Sequence, residues 1–271
     1  MVTNNSVNKT SKLTIFISSD TWNKDSRTVF VEVFGWSSGG SGASGRKGAS
    51  TAAGGGGGGA GGACFWYRGP SEVFNSSETV TIGGPTTGAL AQTGDGVDGI
   101  SGSAPNITSF GNMLNAAQTA AAGGTATTAA GGAGQNSQSH FASHSGQTTG
   151  GGGTGRNIAG SPGTNVGSST NSFLIASGGG GGGGYDTVTQ RDGGAGGSIL
   201  KIDASTVILA GGTAGAESGT INGGDGNLMP TTGGIVMGGS GGGGGGGPKV
   251  GTTSGIGGNG AQGIVVVISY R

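Results

Sequence analysis

The apolar residues of this chain fall in short clusters separated by long polar, glycine-rich stretches. Residues 13–17 (LTIFI) form one cluster and residues 28–34 (TVFVEVF) the next, where Val29, Val31 and Val33 alternate with Phe30, Glu32 and Phe34. Alternation with period two predicts half-buried strands. The polar residues 20–26 between them predict a hairpin or a sheet corner. Further strands are predicted at 64–68 (CFWYR), 78–82 (ETVTI), 172–176 (SFLIA), 198–202 (SILKI), 206–210 (TVILA) and 263–270 (GIVVVISY). Only residues 113–122 (MLNAAQTAAA) have the composition of a short helix. The polar residues 1–12 predict an N-terminal arm ahead of one all-β, sandwich-like domain over 13–271.

Between the strands lie three glycine runs, at 54–59, 178–184 and 241–247. Glycine makes up 72 of 271 residues, roughly four times its average usage. There is no sustained period-three glycine pattern and there are only six prolines, which excludes a collagen triple helix. A flexible-linker reading is disfavoured because the runs sit between strands too short to be domains. An extended glycine segment can instead adopt a threefold polyproline-II-like helix, and several packed together can pair their backbone groups. The expectation is therefore packed polyglycine-II helices and glycine-rich loops beside the strands, with serine and alanine tolerated only at edges or facing water.

Charge changes the picture by exclusion. Twelve basic residues balance twelve acidic ones, and no basic patch offers a nucleic acid or an anionic membrane a surface. Arg46 and Lys47 form an isolated pair expected in a loop. A single cysteine, Cys64, rules out an intrachain disulfide. The longest apolar run, 264–268, is far short of the ~20 residues of a membrane helix. A soluble protein made in a reducing compartment is expected, with no membrane insertion and no cofactor. The run GGGGGGGPK at 241–249 lacks the Gly-Lys-Ser/Thr of a phosphate loop. Glu32, Glu72, Glu78 and Glu217 are scattered, without a pair placed for glycosidic acid–base work, so no enzyme is expected.

Two ends of the chain carry a resemblance. Residues 15–22 (IFISSDTW), followed by 29–36 (VFVEVFGW), the tract GGGGGGAGGA at 54–63, ETVTIGG at 78–84, TSFG at 108–111 and GGNGAQGIVVV at 257–267 follow one another in a telling order. The order resembles that of the glycine-rich tail-fibre and receptor-binding adhesin proteins of tailed bacteriophages. The chain departs from that pattern at Asp20, where glycine is usual, and at residues 23–25. The resemblance implies a virion tail component assembled in the host cytoplasm, a homotrimer with other tail proteins as partners. It also implies loops displayed to a host receptor, either a surface glycan or an outer-membrane protein. A purely structural appendage and a polysaccharide-degrading spike are the alternatives.

In that light the aromatic cluster at 64–68 is the foremost receptor candidate. In a strand, Phe65 and Tyr67 point one way and Cys64, Trp66 and Arg68 the other. Trp66, Tyr67 and Arg68 are candidate contacts, together with the isolated aromatics Phe141 and Tyr185, because aromatic rings and arginine dominate binding hot spots. Core packing is the competing explanation for the cluster. His140 and His144 are the one candidate metal pair, set in a polar loop, and a trimer axis could multiply them. Asp95, Asp98 and Asp225 have the composition of calcium loops but are equally explained by turn chemistry.

Overall fold

A computed structural model describes residues 11–48, 53–116 and 253–271, the glycines Gly182 and Gly245, and the backbone of four short strands at 138–140, 145–148, 198–200 and 207–210. The described part is essentially all-β. A single 3-10 turn, Ser71–Val73, is its one helical element among the described residues.

Two four-stranded antiparallel sheets face each other in a β-sandwich-like arrangement. The first contains β1 (Ser11–Phe16), β3 (Phe30–Trp36), β4 (Cys64–Pro70) and β12 (Ile264–Tyr270), in the order β1-β12-β3-β4. The second contains β2 (Asp20–Asn23), β5 (Ser77–Thr81), β6 (Thr108–Phe110) and β7 (Leu114–Ala116), in the order β2-β5-β6-β7. The hairpins β8 (Gln138–His140) with β9 (Ser145–Thr148), and β10 (Ser198–Leu200) with β11 (Val207–Ala210), pair separately.

The sequence determines the layering. β12 sits between β1 and β3, and its Ile264, Val265, Val266 and Val267 are all fully buried, which is why it reads as a continuous β-branched run rather than an alternating one. β3 alternates: Val31 and Val33 face the second sheet, while Phe30, Glu32 and Phe34 face away. Between the sheets Phe110 packs on Trp22 at 5.4 Å and edge-on to Phe74 at 5.2 Å, with Val80, Leu114, Val265 and Val267 around them. Gly35 lies opposite Phe65 in the ladder, where a Cβ would overlap the Phe65 ring.

Several expectations are corrected here. Asp20–Asn23 is a strand and not a turn. The chain passes there from the first sheet to the second, burying Trp22 in the core, so of the two alternatives a sheet corner is found and not a hairpin, and β12 lies between β1 and β3. Ser11 and Lys12, read as part of an arm, belong to β1. Residues 114–116 of the expected helix form β7, because pairing with β6 and burial of Leu114 and Ala116 outweigh helix propensity. The predicted strand at 172–176 lies outside the described residues.

Beyond β3 the chain continues as residues 37–47, which are hydrogen-bonded in a period of three. The amides of Ser37, Gly40, Ala43 and Arg46 donate to the carbonyls of Ala63, Ala60, Gly57 and Gly54. Those of Ser38, Ser41, Ser44 and Lys47 donate to Asn106, Ser103, Ile100 and Val97. Those of Gly39, Gly42 and Gly45 donate to Ala261, Gly258 and Gly255. One central segment thus bonds to three antiparallel neighbours, each addressed by every third residue.

The same period explains which residues must be glycine. A Cβ on Gly56, Gly59 or Gly62 would overlap the carbonyls of Ala43, Gly40 or Ser37, and one on Gly99 or Gly102 those of Ser44 or Ser41. Gly257 and Gly260 meet Gly42 and Gly39 in the same way. All three glycine runs meet at Gly56, whose amide donates to Gly245 and whose carbonyl accepts from Gly182, both at 2.8 Å.

Serine and alanine are not confined to edges, as the sequence suggested. Ser38, Ser41 and Ser44 are fully buried, as are Ala43, Ala60 and Ala63. Each of the three serines makes a two-point clasp: its amide donates to a carbonyl of the 97–106 segment, and its Oγ accepts from the amide of the same residue, at 2.6 Å for Ser41 with Ser103. The hydroxyl gives that amide an acceptor that alanine or glycine could not supply, so serine is retained inside.

Candidate functional site

The outer face of the first sheet, turned away from the sandwich core, brings together the half-buried rings of Phe30, Phe34, Trp66 and Tyr270 with Glu32 and Arg68. Its cross-strand rows follow from the register. Tyr270, Phe30 and Pro70 form one row, and Ile268, Glu32 and Arg68 the next. Val266, Phe34 and Trp66 follow, then Ile264, Trp36 and Cys64. The rows grade from polar to apolar toward the glycine segments. Trp36, Ile264 and Val266 are buried, with Phe34, Trp66 and Ile15 packed against them. Phe34 and Trp66 stack nearly parallel, 6.2 Å apart.

At the polar end an open groove of about 380 Å³ is lined by Val29, Phe30, Glu32, Arg68, Tyr270 and Arg271. Glu32 anchors it. Its Oε1 accepts from the Tyr270 hydroxyl at 3.1 Å and forms an ion pair with Arg68 Nε at 3.3 Å. Arg68 is 61% exposed along its side chain and its guanidinium lies 6.0 Å from the Phe30 ring centre. Phe30 and Tyr270 meet edge-to-face at 5.8 Å. At the groove's end Arg271 Nη2 pairs with Asp25 Oδ2 at 2.8 Å. Burial, and then the neighbouring Glu32, push the Tyr270 hydroxyl above its usual value, so it remains a donor.

The sequence-derived candidates separate on this face. Trp66 and Arg68 lie on it. Tyr67 points the other way, packs edge-on against Phe74 at 5.0 Å and donates its hydroxyl to the Pro70 carbonyl, so it belongs with the core. Phe141, Tyr185 and His144 lie outside the described residues. His140 is on β8, which lies against β4, and is opposite Ser145. Glu32, weighed in the sequence only for acid–base work, and Phe30 and Tyr270 were not among the receptor candidates. The outward alternation of β3 pointed to Phe30 and Glu32, but nothing local linked them to Tyr270.

A second charged site lies at the far end of the glycine segments. Arg46, only 7% exposed, donates from Nε to Asp98 at 2.9 Å and from Nη2 to the Gly96 carbonyl at 2.7 Å. Lys47 pairs with Asp95 at 3.0 Å and donates to the Thr93 carbonyl. The expected loop pair is therefore a clasp over residues 93–98. It also uses the two aspartates that had the composition of a calcium site. Among the described residues no cluster of three histidine, cysteine, aspartate or glutamate side chains could hold a metal. Nor is any described helix long and apolar enough to cross a membrane.

No protein-family model matches the chain, and comparison with curated proteins gives no match.

Proposed function

We propose that this protein is a non-enzymatic component of a bacteriophage tail fibre or adhesin, a rigid body that presents side chains to a host surface glycan or outer-membrane protein. We infer as well that its glycine tracts are packed polyglycine-II helices. The single observation that carries the reading is the period-three bonding of residues 37–47 to three neighbours, the pairing expected when threefold extended helices pack side by side. A layer held chiefly by backbone pairing needs few side chains for its own core. Side chains at its surface and on the sandwich's outer face are then free to serve recognition. In this reading the protein acts in the virion tail as a homotrimer, docked to other tail proteins, and three copies strengthen individually weak contacts.

The test is binding of the labelled full chain to intact cells from a panel of Gram-negative strains, with its molar mass measured by light scattering. Saturable binding to some strains and not others is expected, from a particle of three chains. Binding to no strain would leave the protein an assembly part without receptor contact and would overturn the adhesin reading.

A further inference from the structure

We propose that the groove bounded by Phe30, Glu32, Arg68 and Tyr270 is a subsite for an uncharged pyranose ring, an inference that rests on the receptor-binding reading and names its ligand class. Three features of the groove select that chemistry.

The first is its unused hydrogen-bonding capacity. The Tyr270 hydrogen bond and the Arg68 ion pair both fall on Oε1 of Glu32, leaving Oε2 of the carboxylate and the terminal nitrogens of the guanidinium for a ligand. An acceptor beside a pair of donors is what adjacent sugar hydroxyls require, since each hydroxyl both donates and accepts. Glu32, its side chain largely buried, is already held by Tyr270, so the acceptor loses little freedom when a ligand binds.

The second is charge. Each arginine of the groove faces a carboxylate, Arg68 with Glu32 and Arg271 with Asp25. Asp25 is shared with Arg27, which lies outside the groove lining, and within the groove an anion would meet the Glu32 carboxylate directly, which disfavours a uronate, a sialate or a phosphate. The third is the wall. Phe30 and Tyr270 offer adjoining aromatic surface, on which the C–H face of a pyranose packs while its hydroxyls turn to the charged pair. The volume, about 380 Å³, falls at the lower end of ligand pockets, which run from about 300 to 1,000 Å³.

The experiment uses the full chain on an array of neutral and acidic oligosaccharides, followed by saturation-transfer NMR with the best ligand. It compares the native protein with Arg68→Met, which keeps the aliphatic stem, and Glu32→Gln, with thermal unfolding of each to confirm the fold. Binding to neutral glycans that falls at least tenfold in Arg68→Met and in Glu32→Gln is expected. Binding to none, preference for acidic glycans, or binding that both folded variants retain would overturn the subsite. Both variants are also tested on the cell panel. If they bind cells as the native protein does, the groove is not the contact and the adhesin reading stands. If the native protein binds no cells, that reading fails while the array still decides whether the groove takes a sugar.

Discussion

The sandwich and the glycine layer hold themselves together by opposite means. In the sandwich, side chains such as Phe110, Val33 and Val267 exclude water, and the backbone follows the pleat that lets them meet. In the layer the backbone itself is the packing surface, and the rule concerns which positions must have no side chain. The two regions join at Trp36, whose neighbour Ser37 begins the period-three bonding. The sandwich tolerates a change of side chain that preserves volume, whereas the layer tolerates almost none at its contact rows but any small residue between them.

That contrast can be broken most forcefully from the sandwich side. Phe110→Ala should cost about 3–5 kcal/mol, the range for deleting a fully buried aromatic ring. Urea denaturation measures it, and a cost below 1 kcal/mol would mean that the facing sheets are not the stabilising core. Gly59→Ala should cost about 3 kcal/mol, because its new methyl overlaps the Gly40 carbonyl and a backbone atom cannot rotate away as a side chain can. The matched control is Gly84→Ala, where nothing lies within 4 Å of the added carbon, and stability should stay within about 0.5 kcal/mol of the native value. Equal effects at the two glycines would refute the contact-row account.

Ser41→Ala probes the layer more gently. It removes the acceptor of the Ser103 amide and should destabilise by about 1 kcal/mol, with faster hydrogen exchange confined to that amide and its neighbours. The smallest expected effect is alkaline. Tyr67 is raised above its ordinary value near 10.0 by burial, and Tyr270 by burial and Glu32. A raised folded-state value means that the unfolded chain releases its proton first. The contribution is therefore complete below pH 10 and is lost as pH rises through the folded-state values. Melting temperature measured from pH 9 upward should fall above about pH 10, and less steeply in Glu32→Gln. An unchanged slope in that variant would remove Glu32 from the cause.

Much of the sandwich was legible in the sequence, because β3, β4, β5 and β12 announce themselves by alternation or by β-branched runs. β2 was not. Its residues Asp20, Thr21 and Asn23 have turn chemistry, and the segment becomes a strand through pairing with β5 and the burial of Trp22. In the layer, glycine abundance pointed to backbone packing. The role of Ser38, Ser41 and Ser44 was hidden because their spacing of three becomes meaningful only once the partner segment is known. The groove was half legible. The alternation of 64–68 placed Trp66 and Arg68 on one face, but Tyr270 reaches Glu32 across 238 positions of sequence, a pairing that the strand order alone creates.

The position of β12 bears on how the chain matures. Strand β1, among the first described segments to be synthesised, has no partner in its sheet until residues 264–270 arrive to fill the space beside β3. The central glycine segment likewise waits for residues 255–261 to supply its third neighbour. Folding on the ribosome therefore stops at a half-built sheet, and closure comes late and slowly, through contacts that span nearly the whole chain. A chain cut short before β12 keeps an open sheet edge and an incomplete layer, so neither region closes until residues 255–270 have been made.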